Sequence, residues 1–183
     1  NSSTEEWIKQ DGWNLRWVPK CDRSLELCEL AIETAHPRLT DSESILHYVP
    51  ITFRTPKLCW LALYKDGCAI RAIPKEILTY EMCIEAVQRK GDELVSVPRE
   101  WRDEKMCKIA VEEDGKALIS VPEDLLTSEL VWLAIRTVPE MLTFAVPERL
   151  ITAEMWVFAK RRTQRPGNNI WDIPKHLVGK IEF

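Results

Sequence analysis

The dipeptide Val-Pro or Ile-Pro recurs along this chain at a nearly constant spacing. Successive prolines are 31, 24, 24, 24, 25 and 27 residues apart. The pairs are Val18-Pro19, Val49-Pro50, Ile73-Pro74, Val97-Pro98, Val121-Pro122, Val146-Pro147 and Ile173-Pro174. A fixed period of about 20–50 residues is the signature of a repeat architecture. The spacing therefore predicts a tandem array of small units, which bury their apolar faces against one another rather than alone.

Each unit contains the pattern of one long amphipathic helix. Five residues after each of the first six prolines stand the helix-capping types Ser24, Thr55, Thr79, Asp103, Thr127 and Thr152. Their side-chain oxygens accept hydrogen bonds from free amides of the first helical turn. Seven residues after each cap stand Ala31, Ala62, Ala86, Ala110, Ala134 and Ala159. Apolar residues three, four, seven and eight after the cap share one helical face, and the alanine is expected to let a neighbouring helix approach closely.

A glycine is expected to end this helix and a short second helix to follow it. Gly12, Gly67, Gly91, Gly115 and Gly167 each lie six residues before the Val or Ile of the dipeptide. Glycine adopts the left-handed conformation that often terminates helices. Apolar residues three apart then predict a helix of one or two turns. Proline disfavours helical geometry in the preceding residue, so the short helix is expected to end at the dipeptide.

The predicted fold is therefore all-α: a right-handed solenoid of about six hairpins, each with a long helix, a short helix and a proline turn. Residues 1–183 form one helical-repeat domain, with units starting near 24, 55, 79, 103, 127 and 152. Residues 1–19 are a partial unit, residues 174–183 a terminal cap, and insertions lie near 36–42 and 161–166. A leucine-rich repeat, with a strand at 117–121, has the same period, but the Leu-x-Leu alternation and the asparagine ladder are missing.

Two stretches bear a family resemblance. Leu78-Thr79-Tyr80-Glu81-Met82-Cys83-Ile84-Glu85-Ala86-Val87 and, after Gly91, Leu94-Val95-Ser96-Val97-Pro98 resemble a bacterial family of tandem helical repeats. That family is known as a domain of unknown function and occurs in large cytosolic proteins and some secreted pathogen effectors. The resemblance extends from Gly12 to Pro174. It implies an interaction module, and it provides no catalytic residues.

Composition narrows the classes of partner and compartment. The net charge is −4 and the sequence pI is about 5.5, which disfavours general binding to nucleic acid or anionic membranes. No apolar run approaches the ~18 residues of a membrane span, and no signal peptide is recognisable. We expect a cytoplasmic protein, or one in the host cytosol if the chain belongs to a secreted effector. Because the chain starts with Asn1 rather than Met, we expect a piece of a longer protein.

The cysteines and histidines show no pattern of a metal or catalytic site. Cys28, Cys59, Cys83 and Cys107 occupy the same position in four units. Stacked helices are about 8–10 Å apart, too far for a disulfide chain, and CxxC-like pairs for zinc are absent. We expect these thiols to fill small core sites. His36, His47 and His176 share no recurring spacing with a cysteine or carboxylate and are expected in solvent or loops. No catalytic residue, metal ligand or cofactor is predicted.

The predicted binding surface lies on the long helices, away from the alanine face. Five residues after the cap stand Trp60, Ile84, Trp132 and Val157, and nine after it Tyr64, Arg136 and Arg161, one turn further along the helix. We expect Trp60 to pair with Tyr64, and Trp132 with Arg136. Trp, Tyr and Arg are the residues that most often anchor protein interfaces. The alternative is that these rings pack on the neighbouring short helices.

The predicted function is a non-catalytic scaffold that binds another protein, with neither cofactor nor membrane involved. One alternative is a repeat region that positions the substrate of an enzyme whose catalytic domain lies outside this chain. Another is a nucleic-acid-binding solenoid that uses Lys160, Arg161, Arg162 and Arg165, although a basic C-terminal turn also suits the helix dipole. An incomplete end unit would leave an apolar face open, which favours self-association.

Overall fold

The computed structural model describes residues 2–36, 43–163 and 174–180. Every regular element in these ranges is a helix, and none is a strand. The α-helices are α1 (Ser2–Gln10), α2 (Leu25–Thr34), α3 (Pro56–Lys65), α4 (Tyr80–Arg89), α5 (Glu104–Glu113), α6 (Ser128–Thr137), α7 (Met141–Phe144) and α8 (Ala153–Thr163). The predicted all-α class is confirmed. The leucine-rich-repeat alternative is wrong, because residues 117–120 belong to a helix instead of a strand.

The short second helices are 3-10 helices. They are Gly12–Trp17, Ile45–Tyr48, Gly67–Ala72, Gly91–Ser96 and Gly115–Ser120. A further 3-10 turn follows most of the prolines: Lys20–Asp22, Ile51–Phe53, Arg99–Trp101, Glu123–Leu125, Glu148–Leu150 and Lys175–Leu177. The i, i+3 apolar spacing suits this geometry, because a 3-10 helix has three residues per turn. In the fifth unit the short segment is α7 instead, and Glu140 stands where other units have glycine.

All six predicted helix caps are present. Ser24, Thr55, Thr79, Asp103 and Thr127 each accept a hydrogen bond from the amide three residues later. Thr152 does the same, with the Met155 amide 3.2 Å from its Oγ1. Each bond satisfies a free amide of the first helical turn, which fixes where the long helix begins.

The prediction that glycine stops the long helix in a left-handed conformation is wrong. Among the described glycines only Gly179 has a positive φ, of 81°. The long helix ends one residue earlier, where Asp66 and Asp114 are extended and cap the following 3-10 helix. Glycine is required for another reason, which is close contact with the next unit. A Cβ on Gly91 would lie 2.3 Å from the carbonyl oxygen of Ala110.

The same glycine–alanine contact joins other neighbouring units. A Cβ on Gly12 would lie 1.9 Å from the Ala31 oxygen, and a Cβ on Gly115 would lie 2.6 Å from the Ala134 oxygen. The six alanines of the long helices are all buried. The expectation that alanine permits close approach is therefore confirmed, and the group that approaches is the glycine backbone of the preceding short helix.

Packing follows the order of the chain. α1 packs on α2, α2 on α3, α3 on α4, α4 on α5, α5 on α6, and α6 on α8. Among the described residues, long helices that are separated by another long helix share no extensive contact. The core is one large cluster from Ile8 to Met141, followed by a smaller cluster around α8 that includes Val131, Trp156 and Leu177. None of the described helices is long and apolar enough to cross a membrane.

Several sequence predictions lie outside the described residues. They concern the insertion at 37–42, the glycine at Gly167, the residue before Pro174, and the part of the 161–166 insertion that contains Arg165.

Candidate binding surfaces

The first half of the predicted helix surface forms a local aromatic cluster. Trp60 stacks on Tyr64, with ring centroids 5.4 Å apart and an interplanar angle of 28°. The Arg89 guanidinium lies 5.6 Å from the Tyr64 ring, so the cluster extends from α3 to α4. The predicted Trp60–Tyr64 pair is confirmed. Trp60 is half-buried against the core, whereas Tyr64 is 53% exposed.

The second half of that surface is arranged differently. Trp132 packs edge-on against Phe158 of α8, with ring centroids 5.5 Å apart. Its predicted partner Arg136 is exposed. Ile84 is half-buried against the larger core cluster, and Val157 against the smaller one. Trp132 therefore packs within the fold, but against the long helix α8 rather than against a short helix as the alternative has it. The exposed members of the predicted surface are Tyr64, Arg136 and Arg161.

A second surface runs along the short helices. The residue two before the valine of each Val-Pro pair is apolar and exposed in three consecutive units: Val95, Ile119 and Phe144. Their side chains are 58%, 65% and 70% exposed. The helix Gly91–Ser96 packs on Gly115–Ser120, which packs on α7, so the three residues lie on adjacent elements. We call Val95, Ile119 and Phe144 the apolar ladder.

The position that forms the apolar ladder is basic in the preceding units. It holds Arg16, His47 and Arg71. The repeat pattern alone did not reveal the ladder, because its residues stand at a variable position of Gly-x-x-Leu-x-x-Val-Pro. A change from basic to apolar residues at one equivalent position is the signal that could have revealed it.

Three arginines join the short helices of neighbouring units. Arg23, Arg54 and Arg102 stand directly before the cap residues Ser24, Thr55 and Asp103. Arg102 donates from Nε to the Val97 carbonyl at 3.0 Å and from Nη1 to the Ser120 carbonyl, in the next unit, at 2.8 Å.

Arg54 makes the equivalent bonds to Val49 at 2.9 Å and Ala72 at 2.8 Å, and Arg23 bonds to Val18 and Tyr48. The sequence alone did not reveal these contacts, because the acceptors are backbone carbonyls that leave no residue pattern.

A buried carboxylate lies between the second and third units, which start near residues 55 and 79. Glu93 is fully buried, and its oxygens contact Arg71 Nη2 at 2.8 Å and Arg71 Nε at 2.9 Å. Ser96 Oγ donates to the same carboxylate at 2.7 Å. Nearby, Lys90 Nζ donates to Cys68 Sγ at 3.0 Å. Each charged group here has an oppositely charged or polar partner, which is the arrangement of a structural buried ion pair.

The thiols are core groups, as predicted. Cys28, Cys59, Cys83 and Cys107 are buried and unpaired, and only Cys21 is exposed. Burial raises the pKa of Cys28, Cys59 and Cys107 to about 11 from an ordinary 9.0. Such thiols are protonated near neutral pH and are poor nucleophiles. Among the described residues, no group of three or more His, Cys, Asp or Glu side chains could hold a metal ion.

The histidines are exposed, as expected. His47 lies in a 3-10 helix with its Nδ1 3.1 Å from the Ser44 carbonyl. His176 Nε2 lies 2.9 Å from the Ile151 carbonyl, which ties the segment after Pro174 to the start of α8. These contacts orient the rings towards backbone groups rather than towards a nucleophile.

The basic cluster near the end of α8 borders a cavity of about 410 Å³. Arg161, Arg162 and Lys180 line it together with Val157 and Phe158. Lys160 is not part of the lining, and its Nζ lies 4.5 Å from the Trp156 ring. Two residues of the predicted site, Val157 and Arg161, therefore share one cavity.

Comparisons with known proteins add no assignment to these surfaces. No protein-family model, curated protein or solved structure matches the chain. The resemblance to the bacterial repeat family stays a prediction.

Proposed function

We propose that this chain is a non-catalytic α-solenoid that binds another protein along its short helices. The proposal of a solenoid is supported by the packing of each long helix on the next one. It is also supported by the glycine–alanine contact, which recurs with the same partners in successive units. Stacking of this kind produces an extended surface on which equivalent positions form rows.

The apolar ladder is the observation that supports binding. Val95, Ile119 and Phe144 are exposed although each could be polar at no cost to the core. Single exposed apolar residues are ordinary, but a contiguous apolar patch marks an interaction site. Arg102 strengthens this interpretation, because it donates to the carbonyls of Val95 and Ser120. It thereby fixes the backbone next to two of the three ladder residues.

The spacing of the ladder suggests the form of the partner. Stacked helical units repeat at about 8–10 Å. A polyproline II segment advances ~3.1 Å per residue, so its side chains on one face recur at about 9.3 Å. We propose that the ladder binds an extended segment of a partner protein with an apolar side chain at every third residue.

Site-specific photo-crosslinking tests the proposal. A benzophenone amino acid is placed at Ile119 and, as a control, at Arg136 of the predicted helix surface. The partner crosslinked from position 119 is then purified, and its affinity is measured for Ile119→Lys and Arg136→Ala. We expect at least a tenfold loss with Ile119→Lys, because a charge would enter an apolar contact, and no change with Arg136→Ala.

The outcomes separate the two surfaces. Unchanged affinity for Ile119→Lys would contradict the ladder as the binding surface. Loss with Arg136→Ala and Tyr64→Ala alone would place the site on the long helices. Trp60→Ala and Trp132→Ala are unsuitable variants, because both rings are half-buried and their removal would also destabilise the fold.

The alternative function is binding of nucleic acid through its phosphates. The feature that favours it is the cavity bordered by Arg161, Arg162 and Lys180. A nucleic-acid-binding chain would show an affinity that falls steeply with salt. We expect no such binding from a chain with a net charge of −4. Salt-dependent binding that is lost in Arg161→Ala/Arg162→Ala would replace the protein-binding proposal.

A further inference from the structure

A cavity of about 460 Å³ lies at the N-terminal end of the fold. Trp7 of α1 and Trp17 at the end of the first short helix both line it, together with Glu5 and Asp22. We call this cavity the N-terminal pocket. It is distant in the repeat order from the apolar ladder, and the inference drawn from it does not depend on the proposed function.

Repeat packing does not require tryptophan at either position. Trp7 stands five residues before Gly12, where later units have the alanines Ala62 and Ala86 before Gly67 and Gly91. Those alanines are buried, whereas Trp7 is 41% exposed. Trp17 is 67% exposed, and its counterparts in later units include Tyr48, Ala72, Ser96, Ser120 and Ala145. Two tryptophan surfaces are therefore open at one cavity, and no later unit has tryptophan at either position.

The charges at the pocket are all of one sign. Among the described residues that line it, Glu5 and Asp22 are acidic and none is Lys, Arg or His. The Arg16 guanidinium lies 5.2 Å from the Trp17 ring, so this ring already attracts a cation. Arg16 is not part of the pocket lining. The described residues that line the pocket thus include two carboxylates and no cation.

This combination matches one class of ligand. Aromatic faces attract cations through the ring quadrupole, and tryptophan does so most strongly. Methylated and quaternary ammonium groups suit such a site best, because they are bulky and form few directional hydrogen bonds. Carboxylates at the rim add attraction without requiring close contact. We propose that the N-terminal pocket binds a methylated ammonium group, from either a modified lysine side chain or a small quaternary amine.

The test compares a cation with its neutral analogue. Binding of choline and of 3,3-dimethyl-1-butanol, which has the same shape without the charge, is measured by isothermal titration calorimetry. We expect saturable binding of choline that weakens as salt is added, and much weaker binding of the alcohol. Equal binding of both compounds would overturn the proposal, since the pocket would then be only an apolar surface. Absence of saturable choline binding would overturn it as well.

Variants locate the site. Trp17→Ala should weaken choline binding by about tenfold or more through loss of the cation–π contact. Because the Trp17 side chain is largely exposed, this substitution should not disturb folding. Glu5→Gln/Asp22→Asn should weaken choline binding while leaving the ring intact. Phe144→Ala, which removes an equally exposed ring far along the repeat order, should change nothing. Unchanged choline affinity in Trp17→Ala would contradict the assignment.

A second pair of probes identifies the source of the ammonium group. A trimethyl-lysine peptide is compared with choline. Tighter binding of the peptide would indicate that the natural ligand is a modified protein. Tighter binding of choline would indicate a small amine. Either result supports the pocket as a site for a methylated ammonium group. Equal affinity for the trimethyl-lysine peptide and its unmodified lysine counterpart would contradict recognition of methylation.

Discussion

The backbone of Gly91 lies so close to α5 that a Cβ at residue 91 would be 2.3 Å from the carbonyl oxygen of Ala110. The same would-be Cβ would be 2.8 Å from the Asp114 amide nitrogen. Both neighbours are backbone atoms of the next unit, so neither can move aside as a side chain could. This contact sets how closely two units stack.

Gly91→Ala should therefore destabilise the protein by about 2–3 kcal/mol, as overpacking of a close contact does. Gly67→Ala is the matched control. Its Cβ would be 2.8 Å from the nearest backbone oxygen, and its other near contacts are side-chain atoms of Lys90 and Arg89. In urea unfolding, Gly91→Ala should have a clearly lower free energy of unfolding than Gly67→Ala. Equal stability of Gly91→Ala and the unaltered chain would contradict the contact.

The arginine at the end of one unit holds the backbone of the next. Arg102→Ala should cost about 2 kcal/mol of unfolding free energy, because carbonyls of Val97 and Ser120 lose a charged donor. Leu126→Ala is the control, since Leu126 occupies the equivalent position without a side-chain donor. Arg102→Lys should recover only part of the loss, because an ammonium group lacks the fork that reaches both carbonyls. Full recovery by lysine would show that charge alone is sufficient.

The ion pair between Arg71 and Glu93 should behave as a unit. Glu93→Ala alone should cost about 3–5 kcal/mol, because it removes the partner of a partly buried guanidinium. Arg71→Val/Glu93→Ala copies the residues found one unit on, where Val95 stands in place of Arg71 and Ala117 in place of Glu93.

We expect the double variant to be more stable than the single variant in chemical denaturation. If the double variant loses as much unfolding free energy as the two single variants together, the two residues are not coupled. Arg71→Val also extends the apolar ladder by one unit, so it should strengthen binding of a ladder partner.

Alkaline pH should weaken the fold through its buried thiols. Burial raises the pKa of Cys107 to about 11 from 9.0, so the native state favours the neutral thiol. The stability from this residue is fully present below pH 9 and is lost as pH rises to about 11. For one thiol the difference corresponds to roughly 2–3 kcal/mol.

Cys107→Val isolates this effect, because Val131 fills the same position one unit later. The variant should match the unaltered chain near pH 7 and lose less stability above pH 9, measured by urea unfolding across that range. Identical pH dependence in both proteins would contradict a role for this thiol.

Local interactions explain what the sequence predicted well. Each cap residue binds an amide three residues away, so Thr79 and its helix could be recognised without knowledge of the fold. Alanine and cysteine at fixed offsets indicated the buried face for the same reason. The handedness of the stack has no such local signal.

The errors and omissions concern contacts between units. Gly91 was assigned to a left-handed turn because its partner, Ala110, lies 19 residues further on. Trp132 packs against Phe158 of the next helix, a contact that the sequence of its own helix does not indicate. The exposure of Ile119 depends on which face the neighbouring units leave uncovered, and a single unit does not determine that.

One-dimensional stacking of the units is the property on which the apolar ladder depends, and small-angle X-ray scattering tests it directly. The described residues contain seven long helices, and seven in a row at about 8–10 Å spacing predict a radius of gyration near 20 Å and an elongated distance distribution. A compact chain of 183 residues would have a radius of gyration of about 16 Å. A value near 20 Å for the monomer is the result we predict, and a value near 16 Å with a symmetric distance distribution would contradict the solenoid.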